Sequence, residues 1–179
     1  MTYIFRLAIL LLLFAGCKTP EARQPEQVQS GSFIKISAER NKKLNEREQL
    51  RIEAIMAQNP ERDYKASANG FWYYYDVKVE QDTITPSFGD LVNFDYNIKD
   101  LNGNTIYTQQ ELGNQNYAMD QEELFSGLRE GLKLMKPNES ATFLFPSQKA
   151  YGYYGDKNKI RTNIPLMVKV TVNNIKPKQ

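Results

Sequence analysis

Apolar and polar residues alternate along several stretches of the chain after residue 70. The clearest alternation places Val92, Phe94, Tyr96 and Ile98 on one side and Asn93, Asp95 and Asn97 on the other. The same pattern recurs in residues 71–79, 141–145 and 166–172. A period of two is typical of antiparallel strands that bury one face. Asn102-Gly103 predicts a hairpin turn after the strand that contains residues 92–98.

One apolar segment has a helical period instead. It places Leu124, Phe125, Leu128, Leu132 and Met135 on one face and predicts a short helix over residues 122–135. Pro137-Asn138 then predicts a turn, at which Asn138 is able to accept a left-handed conformation. A sheet covered by one short helix is an α+β arrangement. Because nearly all aromatic residues of the mature chain lie after residue 70, we expect the folded domain to be residues 70–179.

A charged segment before this domain predicts a helix over residues 37–59, with Ser37 as N-cap and Asn59-Pro60 at its end. Its thin apolar stripe consists of Leu44, Ile52, Ile55 and Met56; Glu48 interrupts it and Leu50 lies off it. Two interpretations remain open. The helix is solvated and leans on the domain, or it forms a dimer or binds a partner. Residues 37–69 are therefore assigned to this helix and a linker.

The N-terminus has the pattern of an export signal. Arg6 precedes an apolar run that is too short to span a bilayer, and small residues follow it. Residues 1–16 therefore predict a signal peptide, with an uncleaved anchor helix as the alternative. Ala15-Gly16-Cys17 resembles a bacterial lipobox, although Phe14 stands where leucine is usual. Acylated Cys17 would attach the chain to a membrane through a polar tether, residues 17–36.

Composition excludes several classes of function. The chain of 179 residues has no histidine and one cysteine, which excludes Ser-His-Asp and Cys-His nucleophile systems, imidazole zinc sites and internal disulfides. The formal net charge is +2, and the mature chain is nearly balanced because Arg6 is the only charge lost with the signal. A balanced chain does not have the basic excess typical of nucleic-acid binding, so no nucleic-acid partner is expected.

Taken together, several motifs resemble the FKBP family of peptidyl-prolyl cis–trans isomerases. The match covers roughly residues 85–176, in order and with few length changes. The stretches that carry it are Phe88-Gly89-Asp90-Leu91-Val92, Asn102-Gly103, Glu123-Leu124-Phe125-Ser126-Gly127-Leu128, Gly131-Leu132-Lys133-Leu134-Met135-Lys136, residues 139–147, Ala150-Tyr151-Gly152 and Asn163-Ile164-Pro165-Leu166. The whole chain further resembles FKBP-type lipoproteins associated with gliding motility.

The family resemblance implies a fold, a reaction and a site. The fold would be an antiparallel half-barrel wrapped on one short helix, and the substrates would be X-Pro segments of unfolded or exported proteins. Neither a cofactor nor a metal is implied. The residues that the resemblance places at the catalytic centre are Tyr96, Phe125, Leu128 and Tyr151. Those that it places around the bound proline segment are Ile106, Tyr117, Leu124, Ile160 and Val168.

Within this resemblance Leu128 is the floor under the proline ring, and the Tyr151 hydroxyl and the Phe125 amide are the donors to the substrate. Tyr107 stands where the family has an aspartate, and Val168 replaces an aromatic wall. These departures leave two hypotheses open: a weakly active isomerase, and a binding or scaffold module without catalysis.

Two further expectations concern clients and location. Tyr153 and Tyr154, in the loop beside the pocket, either contact an unfolded client or pack against the domain. The location expected is the periplasmic side of the cell envelope. The outer membrane is favoured because Lys18, rather than aspartate, follows Cys17.

Overall fold

The computed structural model describes residues 30–80 and 84–178. The described residues fall into two units, which are divided between Ser37 and Ala38. The predicted signal peptide, Cys17 and most of the predicted tether lie outside the described residues. The helices and strands are α1 Ser30–Gln58, β1 Lys65–Ala66, β2 Trp72–Val77, β3 Leu91–Asp100, β4 Thr105–Tyr107, α2 Gln109–Leu112, β5 Gln115–Ala118, α3 Ser126–Leu132, β6 Ser140–Phe145 and β7 Leu166–Lys176. One turn of 3-10 helix, Ser147–Lys149, follows β6.

The strands form an antiparallel sheet in the order β1-β2-β6-β7-β3-β4. Strand β3 is long enough to pair along β7 on one side and with two short strands on the other. Its N-terminal half pairs with β5 and its C-terminal end with β4. The predicted α+β class is confirmed, and so is the turn at Asn102-Gly103, where Gly103 has a φ of 86°.

The main core lies between the sheet and α3. The alternating residues predicted for β3 and β7 are buried on this face, as are Leu128, Leu132 and Met135. Helix α3 lies very close to β6, because a Cβ on Gly127 would come within 2.6 Å of the Phe145 ring. Only a residue without a side chain permits this approach.

The predicted helix over 122–135 is too long, since α3 covers only Ser126–Leu132. The chain before it is held in a non-helical turn by two bonds to Glu122. The Ala118 N–H donates to the Glu122 carboxylate at 3.1 Å, and the Tyr117 hydroxyl donates to its carbonyl at 3.2 Å. The end of the segment is a turn that leads to Asn138, which adopts the left-handed conformation that an asparagine is able to accept, with a φ of 68°.

The opposite face of the sheet is covered in part, which the sequence did not predict for β6. Strand β6 is buried along its whole length, and on its second face Leu144 packs against α1. Ile52, Leu101 and Leu144 form the centre of this second cluster. The partly buried apolar residues around it are Ile55, Met56, Tyr64, Trp72 and Met167. The predicted domain, residues 70–179, lies within a compact unit that also includes β1 and the part of α1 from Ala38 onward.

Helix α1 begins at Ser30, seven residues before the predicted N-cap at Ser37, and ends at Gln58. The predicted tether to residue 36 therefore overlaps its first turns. Of the two interpretations of this segment, the structure agrees with a helix that leans on the domain: Ile52 is 0% exposed, whereas Leu50 is 65% exposed. No helix among the described residues is both long enough and apolar enough to cross a bilayer.

Candidate functional site

A depression of about 540 Å³ opens where β3, β5, the start of α3 and the loop after β6 meet. Tyr96 reaches it from β3, and Tyr151 from the loop that joins β6 to β7. The side chains that line it are Tyr96, Gln115, Glu122, Glu123, Leu124, Phe125, Arg129 and Tyr151. Four of these side chains are aromatic or aliphatic and four are polar or charged, and an apolar surface combined with a few polar groups is typical of a small-ligand site.

Aromatic rings form the walls of the depression. The Phe125 and Tyr151 ring centroids lie 5.1 Å apart, and Phe125 also meets Phe145 edge-on at 5.5 Å. The backbone of Phe125 is extended, with φ −63° and ψ 145°, because this residue is the N-cap of α3. Its N–H therefore lies before the first turn of the helix and takes no part in the helix's own hydrogen bonds. The site thus combines an aromatic surface with a backbone donor at its edge.

Tyr151 supplies a second donor. Its hydroxyl has no hydrogen-bond partner among the described residues, and the ring is half-buried. Burial raises the pKa of Tyr151 far above its ordinary value of 10, and the nearby Tyr96, Asp156 and Tyr107 raise it further. Burial likewise raises the pKa of Tyr96. Tyr151 therefore remains a protonated hydroxyl at every physiological pH, available to donate to a substrate carbonyl.

The structure sorts the predicted site residues into three groups. Tyr96, Leu124, Phe125 and Tyr151 line the depression. Leu128 and Val168 have no exposed surface and form the packed layer of the main core, which also includes Tyr117. Ile106 and Ile160 line a neighbouring cleft of about 270 Å³, beside Ile164 and Pro165. Whether these residues contact a bound proline segment stays a prediction.

Asp156 is a residue beside this site, close enough to raise the pKa of Tyr151, that the sequence reasoning missed. The Tyr107 hydroxyl donates to one of its carboxylate oxygens, and the Asn158 and Ile160 amides donate to the other at 2.8 Å. Burial raises the pKa of Asp156, but these hydrogen bonds outweigh it and hold the pKa below the usual range. The turn-forming Gly155-Asp156 sequence was the available signal. Although the residue directly after Ile106 is Tyr107 and not an acid, the loop brings the Asp156 carboxylate to the Tyr107 hydroxyl.

The loop beside the site exposes two aromatic rings. Tyr153 and Tyr154 are 66% and 80% exposed, and their rings meet edge-on at 5.4 Å. Of the two interpretations of these residues, packing against the domain is wrong; contact with a client stays a proposal. In the described ranges 30–80 and 84–178, no group of three acidic, cysteine or histidine side chains is placed to hold a metal ion.

Three comparisons relate this geometry to known proteins. The probable FKBP-type peptidyl-prolyl cis-trans isomerase FkpA of Neisseria meningitidis serogroup B is 26% identical over 148 residues, which cover 82% of this chain and 51% of the relative. The chain thus spans about half the length of that curated relative. A family model described as FKBP-type peptidyl-prolyl cis-trans isomerase matches residues 82–173.

Two solved structures share the fold. Escherichia coli FkpA has a TM-score of 0.60 at 20% identity, and the match covers 98% of this chain and 82% of that one. A peptidyl-prolyl cis-trans isomerase from Pseudomonas syringae has a TM-score of 0.59 at 18% identity, covering 76% and 96%. The sheet wrapped on α3 is therefore FKBP-like, and the family model spans just over half of the chain, including every residue that lines the aromatic depression. The chain belongs to the family of FKBP-type peptidyl-prolyl cis-trans isomerases.

Proposed function

We propose that this chain catalyses the cis–trans isomerisation of X-Pro peptide bonds in exported proteins. The observation that carries the proposal is the depression walled by Tyr96, Phe125 and Tyr151, in which the half-buried Tyr151 ring carries a hydroxyl that has no hydrogen-bond partner among the described residues. Membership of the isomerase family supports the reaction class. A protease-coupled assay with a prolyl tetrapeptide tests it, and a rate equal to the uncatalysed one at high protein concentration contradicts it.

The chemistry suits this set of residues. Rotation about a peptide bond meets a barrier of about 18–20 kcal/mol that arises from amide resonance, and the uncatalysed X-Pro step takes tens to hundreds of seconds. A dry aromatic surface removes water from the amide and binds its twisted form better than its planar form. Tyr151 and the Phe125 N–H are positioned to donate to substrate carbonyls. No bond is broken and no proton is transferred, so the absence of histidine is no obstacle.

The hydroxyl of Tyr151 provides the first test of this mechanism. Tyr151→Phe keeps the ring and removes one donor, so kcat/KM is expected to fall about fivefold, as a hydrogen bond worth about 1 kcal/mol predicts. Tyr154→Phe removes the same atom from an exposed ring and serves as the matched control. Equal activities of the two variants would assign the hydroxyl no role in the reaction.

We also propose that Cys17 is acylated and holds the domain on the periplasmic side of a membrane, the outer membrane being favoured. The lipobox-like residues before Cys17 support this anchor. Labelled fatty acid is expected to enter the full chain expressed in a lipoprotein-processing bacterium, and Cys17→Ala is expected to abolish the labelling. Label that persists in the variant contradicts the anchor. We include in this proposal that the chain assists the folding of gliding-motility components. The resemblance of the whole chain to FKBP-type lipoproteins associated with gliding motility supports it.

The second candidate function is a non-catalytic binding or scaffold module. The observation that favours it is the long α1, whose exposed residues include Leu50. A dimer through residues 37–59 would use this uncovered side, since Ile52, Ile55 and Met56 already pack against the domain. Sedimentation analysis of the full chain distinguishes monomer from dimer, and the isomerase assay distinguishes the module from the enzyme.

A further inference from the structure

Helix α1 touches the loop that carries Tyr151 through a buried carboxylate. Glu48 is 5% exposed, and both of its carboxylate oxygens accept hydrogen bonds from the same residue. The Ser147 hydroxyl donates to Oε1 at 2.7 Å and the Ser147 N–H to Oε2 at 2.8 Å. Glu48 is thereby fixed to the first residue of the 3-10 turn after β6.

Ser147 in turn closes the loop around Tyr151. Its carbonyl accepts the N–H of Ala150 at 3.0 Å and the N–H of Gly152 at 2.8 Å. Tyr151 lies between these two donors, so its backbone is held on both sides by bonds to one carbonyl. The Gly152 carbonyl accepts the Asn163 N–H at 2.8 Å, which ties the same segment to the chain before β7.

A second contact joins the same two segments. The Asn45 side chain, one turn before Glu48, donates to the Gln148 side chain at 3.2 Å. Asn45 and Leu44 of α1 also share a small cleft with Ser147, Gly152 and Tyr153. Helix α1 thus contacts the loop at Ser147 and Gln148, before Tyr151, and borders a cleft whose other side includes Gly152 and Tyr153.

Packing alone does not account for Glu48. Its position interrupts the apolar stripe of α1, where an apolar residue would continue the contact with the domain. Burying a carboxylate is costly unless hydrogen bonds compensate it. No lysine or arginine forms an ion pair with Glu48 among the salt bridges of residues 30–80 and 84–178. The two bonds to Ser147 are its compensation, and they fix the Tyr151 loop.

We propose that Glu48 is a positioning residue for the isomerase reaction, acting through Ser147 on the backbone of Tyr151. The proposal rests on the proposed function and assigns α1 a part in it: the helix sets the direction of the Tyr151 hydroxyl. A catalytic group displaced by about 1 Å can lose up to 100-fold in rate, so even a modest loop movement has a measurable effect.

The test compares Glu48→Ala with Ile52→Ala, both made in the full chain. Ile52 lies one turn further along the same face of α1 and packs against Leu101 and Leu144, away from the loop. Glu48→Ala is expected to lower kcat/KM per folded molecule about tenfold, whereas Ile52→Ala leaves it within twofold. Glu48→Gln, which keeps one acceptor oxygen for Ser147, is expected to restore most of the activity.

Amide hydrogen exchange gives a readout that does not depend on catalysis. Exchange of the Gly152 N–H is expected to be about tenfold faster in Glu48→Ala than in Ile52→Ala once global stability is matched by temperature. If the parent chain has no isomerase activity, the proposed function fails, and this exchange rate still decides whether Glu48 holds the loop. Equal exchange rates and equal kcat/KM per folded molecule in the two variants overturn the proposal.

Discussion

Phe125→Ala is expected to lower kcat/KM for a prolyl peptide about 50-fold while the protein remains folded. The ring forms a wall of the depression beside Tyr151 and packs on Phe145. A phenylalanine that becomes fully buried against a ligand contributes about 1.5–3 kcal/mol, and each 1.36 kcal/mol corresponds to a tenfold change in rate. Because the proposed mechanism binds the twisted amide better than the planar one, the loss is expected in kcat as well as in KM.

Phe88→Ala is the matched control for this experiment. Its ring is exposed and is absent from the lining of the depression, so the same truncation is expected to leave kcat/KM within twofold. Circular dichroism of both variants gives the folded fraction, by which the rates are corrected. An unchanged rate in Phe125→Ala would remove the aromatic depression from the mechanism.

Ile52→Ala is expected to lower the free energy of unfolding of the whole compact unit by about 3 kcal/mol. The side chain is fully buried between α1 and the sheet, against Leu101 and Leu144. Since α1 and the sheet share this cluster, the loss is expected to appear in a single cooperative transition. Urea unfolding followed by far-ultraviolet circular dichroism and by fluorescence measures it.

Leu50→Ala in the same helix removes a similar amount of apolar side chain from an exposed position. Its effect on the free energy of unfolding is expected to stay within about 0.5 kcal/mol. Two separate transitions, or equal effects of the two substitutions, would show that α1 is not part of the domain's fold. The same comparison measures how far Ile52→Ala lowers the free energy of unfolding. This value is needed because Ile52→Ala is also the control variant for the activity of Glu48→Ala.

The strands of the main core could be predicted because their pattern is local. Val92, Phe94 and Ile98 alternate with polar residues, and the structure buries all three. The same reasoning was incomplete for β6, where Leu144 lies on the face that was expected to be partly open. Periodicity shows which residues share a face, but it does not show that a distant helix covers the second face.

The ends of α3 were predicted wrongly for a different reason. Apolar spacing extended the predicted helix to Leu124 and Phe125, and both are indeed on the side of the site. Their segment is nevertheless a turn, because Glu122 bonds to Ala118 and Tyr117 instead of entering a helix. Any curved segment that turns the same residues toward the core shows a helical period in its sequence. The exact ends of a helix therefore depend on the hydrogen bonds that tertiary structure offers to the residues at those ends.

By itself the sequence determined the α+β class, the alternation of β3 and β7 and the turn at Asn102-Gly103. Through its resemblance to a family it also pointed to Tyr96, Phe125 and Tyr151, the aromatic residues that line the depression. Each of these depends on neighbouring residues or on a motif that stays in register. Only the tertiary structure decided that Glu48 bonds Ser147 and that Asp156 bonds Tyr107. These partners are 99 and 49 residues apart in sequence. A polar residue that interrupts an apolar pattern acquires its role only from the group that folding brings to it.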